Sequence, residues 1–162
     1  MNKSGNLQTA IHFLRTIGIE VIETTLLAAH CFLPGLLIKE GKIFIDKEQL
    51  LYPGDILHEA GHLAVIPQTE RHLQDGTTIG KRPDAPAEEM MAIAWSYAAC
   101  LHLQIDPVFV FHNEGYKQGG SSLVDNFRQG RYIGVPVLEW LGMTTTKGEG
   151  PLYPAMLKWL RD

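Results

Sequence analysis

Between Pro53 and Pro67 the chain runs Gly-Asp-Ile-Leu-His-Glu-Ala-Gly-His-Leu-Ala-Val-Ile, and this stretch constrains the fold more than any other. A proline at each end and apolar residues at helical spacing predict one amphipathic helix opening near Pro53 and stopping near Pro67. Asp55 is favourable in its first turn, where negative charge meets the positive end of the helix dipole. Taking His58 as the origin of the helical wheel, His62 falls roughly 40° away, while Ile56, Leu57, Ala60, Leu63 and Ala64 occupy the opposite arc. The helix therefore has to bury its aliphatic face and turn both histidines to the other side. Gly61, on the flank, permits another backbone to approach closely.

The segment His58-Glu59-Ala60-Gly61-His62 matches the pattern H-E-x-x-H. Residues four apart stand one above the other on a helix, so both imidazoles can grip one ion. Glu59 is turned by about 100° from His58 and can reach a water on that ion without ligating it. Neutral imidazoles hold the metal and the carboxylate accepts a proton, a division of labour that suits zinc. His58 and His62 are the candidate metal ligands, Glu59 the candidate catalytic base and zinc the expected cofactor.

A third protein ligand is needed, because catalytic zinc sites pair three side chains with one open position. A metzincin continuation would place Gly and His three and six residues after His62; Val65 and Gln68 stand there instead, which excludes that class. The best donors lie on a second helix predicted from about Pro86 to Leu103. There Glu89 shares a face with the small residues Ala92, Ser96 and Cys100, besides Ile93, which suits close approach by the histidine helix. Glu88 shares its face with Met91 and the bulky Trp95. Glu89 is the expected ligand, with Glu88 beside it or at the surface; a shift of helix register by one residue exchanges the two.

Around these helices the expected architecture is α+β, dominated by helices with one small sheet. Ser4 can cap a first helix running to about Ile17, with Leu7, Ala10, Ile11 and Leu14 on one face and Gly18 as its stop. Residues 19 to 33 read two ways: Ile19, Val21 and Ile22 favour a strand, Thr24 to Phe32 a helix. Leu36–Ile38 and Lys42–Ile45 flank Glu40-Gly41, the pattern of a β-hairpin. Asp46 opens a turn or short helical segment through Leu51. Residues 66 to 86 are polar and rich in glycine and proline, a loop long enough to suggest function or mobility. Val108–Phe111 suggests a strand, residues 112 to 122 a loop, and Ser122 a cap for a helix through Arg128. Two further helices fit Val135 to Leu141, closed by Gly142, and Pro154 to Leu160. The whole chain, residues 1–162, reads as one domain.

The hairpin, the HExxH helix and a glutamate on the next helix resemble the gluzincin-type zinc metallopeptidases. The small bacterial ImmA/IrrE-type metallopeptidase domains are the most similar. Their motif often reads HELGH, from which His58–His62 differs only by Ala60, and Glu89-Met90-Met91-Ala92 with Trp95 beyond resembles their Glu-x-x-Ala helix; Ile93 stands where that family usually has Asn. The likeness covers roughly residues 35 to 105. It implies a minimal zincin-like fold and a zinc-dependent peptidase with Glu59 as general base.

Two functional classes follow from the residues. In one the chain is a zinc hydrolase cleaving peptide or protein substrates; in the other it is a metal-binding module with a regulatory or partner-binding role. An intact Glu59 favours the first, since a closed structural site has no use for a base. An interaction protein whose motif is accidental is the third and weakest reading. His112 and Glu114 would share a face if the strand after Val108 continued, and His112 with Tyr116 are candidate contacts to substrate or transition state. His12, His30, His72 and His102 read as surface or satisfied core residues, and Arg71 and His72 as solvated loop. Trp95, Trp140 and Trp159 read as core or interface packing, and Cys31 and Cys100 as free buried thiols. A net charge of −4 with scattered basic residues gives no footprint for nucleic acid. No segment has the length or apolarity of a bilayer span or a signal peptide, so a cytoplasmic protein without membrane partners is expected.

Overall fold

The computed structural model describes residues 3–27, 30–31, 33–115 and 119–162. The fold is helix-dominated α+β. Helix α1 (Lys3–Ile17) leads into strand β1 (Val21–Glu23), then β2 (Leu36–Lys39) and β3 (Lys42–Ile45). These are followed by α2 (Asp55–Val65), the short α3 (Gln68–Arg71), α4 (Ala85–His102), α5 (Gly120–Arg128) and α6 (Val135–Trp140). No helix among the described residues is long and apolar enough to cross a membrane.

The sheet is mixed, in the order β1-β3-β2. Strands β2 and β3 form the expected hairpin, Leu36 opposite Ile45 and Lys39 opposite Lys42. Its tight turn places both Glu40 (φ 52°) and Gly41 (φ 71°) in the left-handed region, the geometry whose twist matches the flanking strands. Strand β1 runs parallel to β3, so the strand reading of residues 21–23 holds, while Thr24–Leu27 take no regular structure. Thr24 instead donates its N–H to Ile45 O at 2.9 Å, which prolongs the sheet rather than opening a helix.

One core joins the sheet to α1, α2, α4 and α6. Leu7, Ala10, Ile11 and Leu14 of α1 are buried, as are Ile43 and Ile45 of β3 and Ile56, Leu57, Leu63 and Ala64 of α2. Helix α4 is buried on all sides from Met91 to Cys100, which is why its sequence is apolar all round rather than striped. Helices α2 and α4 pack against one another, and Gly61 decides how closely. A Cβ there would lie 2.9 Å from Ala92 O and 3.2 Å from Ser96 Oγ. Ser96 Oγ hydrogen-bonds Leu57 O across that contact at 3.2 Å, besides Ala92 O of its own helix at 2.6 Å.

Several local expectations are corrected. Helix α2 begins at Asp55 rather than Pro53, because residues 52–55 close a turn, Asp55 N–H to Tyr52 O at 3.1 Å. Val108–Phe111 is not a strand: Pro107–Phe109 forms a 3-10 turn, held by Val108 N–H to the Asp106 carboxylate at 3.0 Å. Pro154–Leu160 is not helical either; Thr144 and Met156 form an isolated bridge, and Leu157 N–H reaches Met143 O at 2.9 Å. Ser4 and Ser122 lie inside α1 and α5 rather than at their caps. The 66–86 stretch carries α3 and a 3-10 turn at Ile79–Lys81. Trp95 is fully buried, but Trp140 is 82% exposed on α6. Both cysteines are free, Cys100 buried and Cys31 only half-buried.

The C-terminal segment closes the histidine helix. The last carbonyls of a helix lack partners within it. Arg71, read from sequence as solvated loop, donates to Leu63 O (2.8 Å), Ile66 O (3.1 Å) and Arg161 O (2.7 Å). Arg161 donates its N–H to Ala64 O at 2.8 Å and its guanidinium to Val65 O at 3.2 Å. Trp95 Nε1 fixes the same segment through Trp159 O at 2.8 Å.

Candidate metal centre

The periodicity of α2 puts His58 and His62 on one side of the helix, and the close packing allowed by Gly61 brings α4 alongside. The His58 and His62 Nε2 atoms stand 3.1 Å apart. Glu89 meets both: Oε2 lies 3.1 Å from His62 Nε2, and Oε1 lies 3.6 Å from His58 Nε2. Tetrahedral coordination by zinc, with bonds of 2.0–2.2 Å, requires donors about 3.3 Å apart. The three side chains therefore converge at the spacing a zinc-sized ion asks for. No other trio of His, Cys, Asp or Glu among the described residues is close enough to share an ion.

Electrostatics agrees with the geometry for His58 and Glu89. Burial, reinforced by the charge of His62, pushes the His58 imidazole down to about 4, so it is neutral near pH 7. Burial alone would also lower His62, but its hydrogen bond to Glu89 and the charges of Glu59, Glu89 and Glu88 outweigh that and raise it. The same hydrogen bond holds Glu89 below the usual carboxylate range despite partial burial. The neutral His58 imidazole and the ionised Glu89 carboxylate are in the states a metal requires of its ligands, whereas the raised His62 holds a proton that a metal would have to displace. His62 Nδ1 is buried with no hydrogen-bond partner among the described residues, which leaves Nε2 as its engaged nitrogen.

Glu59, on the same helix, faces a cavity of about 380 Å³ bordered by the β2 residues Leu36–Lys39, by His30 and Leu33, and by Asp75–Thr77. Burial, with the nearby Asp55 and Glu89 charges and against that of His62, raises its carboxyl to about 7. A carboxyl in that range can both take up and give back a proton at neutral pH.

Of the residues singled out from sequence, His58, Glu59, His62 and Glu89 are brought together. Glu88 is not at the surface: it is buried, and Arg82 Nε donates to both its oxygens at 3.1 and 2.8 Å. Arg82 also holds Glu70 at 2.8 Å. His112 does not share a strand face with Glu114. Its Nε2 lies 2.7 Å from Asp55 Oδ1, its Nδ1 accepts the Gly115 N–H at 3.1 Å, and Tyr52 stacks on its ring with centroids 4.2 Å apart. Glu114 approaches only the outer nitrogen, at 3.6 Å. Both ring nitrogens are thus engaged within the protein. Tyr116 lies outside the described residues. The Asp55–His112 pair was hidden from sequence reasoning because its members are far apart along the chain; Asp55 showed only as a helix-start charge. No family model, no curated protein and no solved structure matches this chain.

Proposed function

We propose that the chain is a zinc-dependent hydrolase acting on peptide bonds, with His58, His62 and Glu89 holding the ion and Glu59 serving as general base. The observation that carries this reading is the meeting of two imidazole nitrogens and the Glu89 carboxylate, with a second carboxyl, that of Glu59, opening from the histidine helix into a cavity. A structural site has no need of that last group. Zinc, when bound in such a site, acts as a Lewis acid on a carbonyl and lowers the pKa of water. The chain's own residues do the rest. Glu59, poised near neutrality, accepts a proton from the attacking water and hands it to the departing amine. Leu36–Ile38 of β2 offer an extended peptide an apolar surface to lie on, and Asp75–Thr77 border the same cavity. On this reading the likeness to the gluzincin and ImmA/IrrE-type peptidases extends from motif to chemistry. The competing reading, a metal-binding module without turnover, keeps the ion but gives Glu59 nothing to do.

The test is made on one preparation: metal content by elemental analysis, and hydrolysis of unfolded protein with and without chelator. About one zinc per chain and chelator-sensitive cleavage are expected. Zinc retained in a His58→Ala/His62→Ala protein overturns the ligand assignment.

A further inference from the structure

Of the three proposed ligands, Glu89 is the one least secured by the core. Its side chain is half-exposed, while those of His58 and His62 are mostly buried. It stands in the opening stretch of α4, ahead of Ala92 and Ser96, the residues that pack against Gly61 of the histidine helix. Helix starts are weakly held, because their first backbone N–H groups lack partners within the helix. Asp84 at the cap makes no side-chain hydrogen bond to relieve them. Among residues 85–90 only Glu88 is buried. The side chain that anchors this stretch of helix is therefore the immediate neighbour of the ligand.

Arg82 holds that anchor. Its Nε donates to both Glu88 oxygens, at 3.1 and 2.8 Å, and its Nη1 donates to Glu70 of α3 at 2.8 Å. Next to Glu70, Arg71 grips the far end of α2 through Leu63 O at 2.8 Å and Ile66 O at 3.1 Å. A run of charged groups thus leads from the end of the histidine helix, through α3 and Arg82, to the first turn of α4. It joins the two ligand-bearing helices a second time, apart from the contact at Gly61. Arg82 is itself fixed: its N–H reaches Ile79 O at 3.3 Å, its C=O accepts Ala85 N–H at 3.1 Å, and Ile79 is buried.

Adjacent residues on a helix point about 100° apart. With Glu88 turned to Arg82, Glu89 is turned by that angle toward the histidines. A twist of the first turn that released Glu88 would carry Glu89 away with it. The fork of the guanidinium matters here, since its several donors lie in one plane and serve two carboxylates at once, whereas a lysine ammonium is a point charge.

We propose, resting on the metal assignment above, that Arg82 is a positioning residue for the metal centre. Through Glu88 it fixes the first turn of α4, and so holds the Glu89 carboxylate at the distance from His58 and His62 that one zinc ion requires.

The experiment measures zinc affinity by competition with a chromophoric chelator, and reads coordination geometry from the visible absorption of cobalt(II) bound in place of zinc. The variants are Arg82→Ala and Arg82→Lys, with Leu14→Ala, in the core face of α1, as a control destabilised elsewhere. Each is assayed below its own unfolding transition. Arg82→Ala should weaken zinc binding by about 10–100-fold, the usual cost of removing a group that orients a metal ligand, and should alter the cobalt spectrum. Arg82→Lys, which keeps the charge without the fork, should fall between Arg82→Ala and wild type. Leu14→Ala should keep the wild-type affinity and spectrum. Wild-type affinity and spectrum in both Arg82 variants overturn the proposal, as does an equal loss in Leu14→Ala, which would make the effect one of stability alone. If Arg82→Ala does not fold, Arg82→Lys decides: weaker zinc with an altered cobalt spectrum upholds the role, and wild-type values sink it. Zinc binding without hydrolysis in the wild type ends the hydrolase reading alone, and the Arg82 variants still settle the positioning role. A wild-type protein that binds no zinc overturns both.

Discussion

At the scale of single residues, Glu59 and Gly61 carry the sharpest expectations, and they are neighbours in one helix with opposite demands. Glu59→Gln keeps the size of the side chain and removes its capacity to accept a proton. Hydrolysis should fall by about 10²–10⁴, the usual cost of losing a positioned base, while zinc content and thermal stability stay as in wild type. A Glu59→Gln protein that loses zinc would make Glu59 a ligand and contradict the assignment. Gly61→Ala pits two effects against one another. Alanine favours a helix over glycine by about 1 kcal/mol. The added methyl, however, would stand 2.9 Å from Ala92 O and 3.2 Å from Ser96 Oγ, and the nearer neighbour is backbone that cannot rotate away. Overpacking of this kind costs about 1–3 kcal/mol, so a net loss is expected in denaturant unfolding. Zinc affinity should fall with it, because the same contact sets the distance from Glu89 to the histidines. Stabilisation of the variant would show that α2 and α4 are not held this tightly. The special position of Gly61 was legible in the sequence as a small residue on the flank of the motif; what it touches was not.

At the scale of elements, the first turn of α4 separates two adjacent glutamates into different roles. Glu88 is 3% exposed in its side chain and bound by Arg82, itself 15% exposed, whereas Glu89 is 46% exposed and faces the histidines. Glu88→Ala leaves a mostly buried guanidinium short of a partner; losing one side of such a pair costs about 3–5 kcal/mol, and the remaining Glu70 contact places the expected loss near the lower bound. Glu89→Ala should leave unfolding of the metal-free protein nearly unchanged and weaken zinc binding far more, as read by competition with a chromophoric chelator. Equal loss of zinc affinity in both variants would show that the two glutamates act together. The wheel argument from small residues pointed to Glu89, and the contact of Gly61 with Ala92 and Ser96 is the packing it anticipated. The same wheel was blind to Arg82, which arrives from the preceding loop. Val108–Phe111 and Pro154–Leu160 went astray for a related reason. Apolar runs of four to seven residues have no period of their own strong enough to choose a structure, and the chain around them chose instead.

At the scale of the whole molecule, metal and fold are expected to be linked. An ion bound only by the folded chain adds stability by mass action, about 2.7 kcal/mol when free zinc is one hundred times Kd. For a chain of this size that raises Tm by about 5–10 °C, and a chelator should reverse it. A melting curve indifferent to both would count against a site assembled from α2 and α4. The linkage is expected because the ligands come from two helices whose approach is itself a product of folding. What the sequence determined unaided is all local: the pairing of His58 with His62, the offset of Glu59 and the β2–β3 hairpin. Each follows from the pitch of one helix or the geometry of one turn. Tertiary structure alone decided that Arg82 holds Glu88, that Asp55 holds His112, that Arg71 and Arg161 close α2, and that residues 74–76 cross the hairpin end of β2. Those outcomes depend on partners distant along the chain, and no local periodicity specifies which distant group arrives.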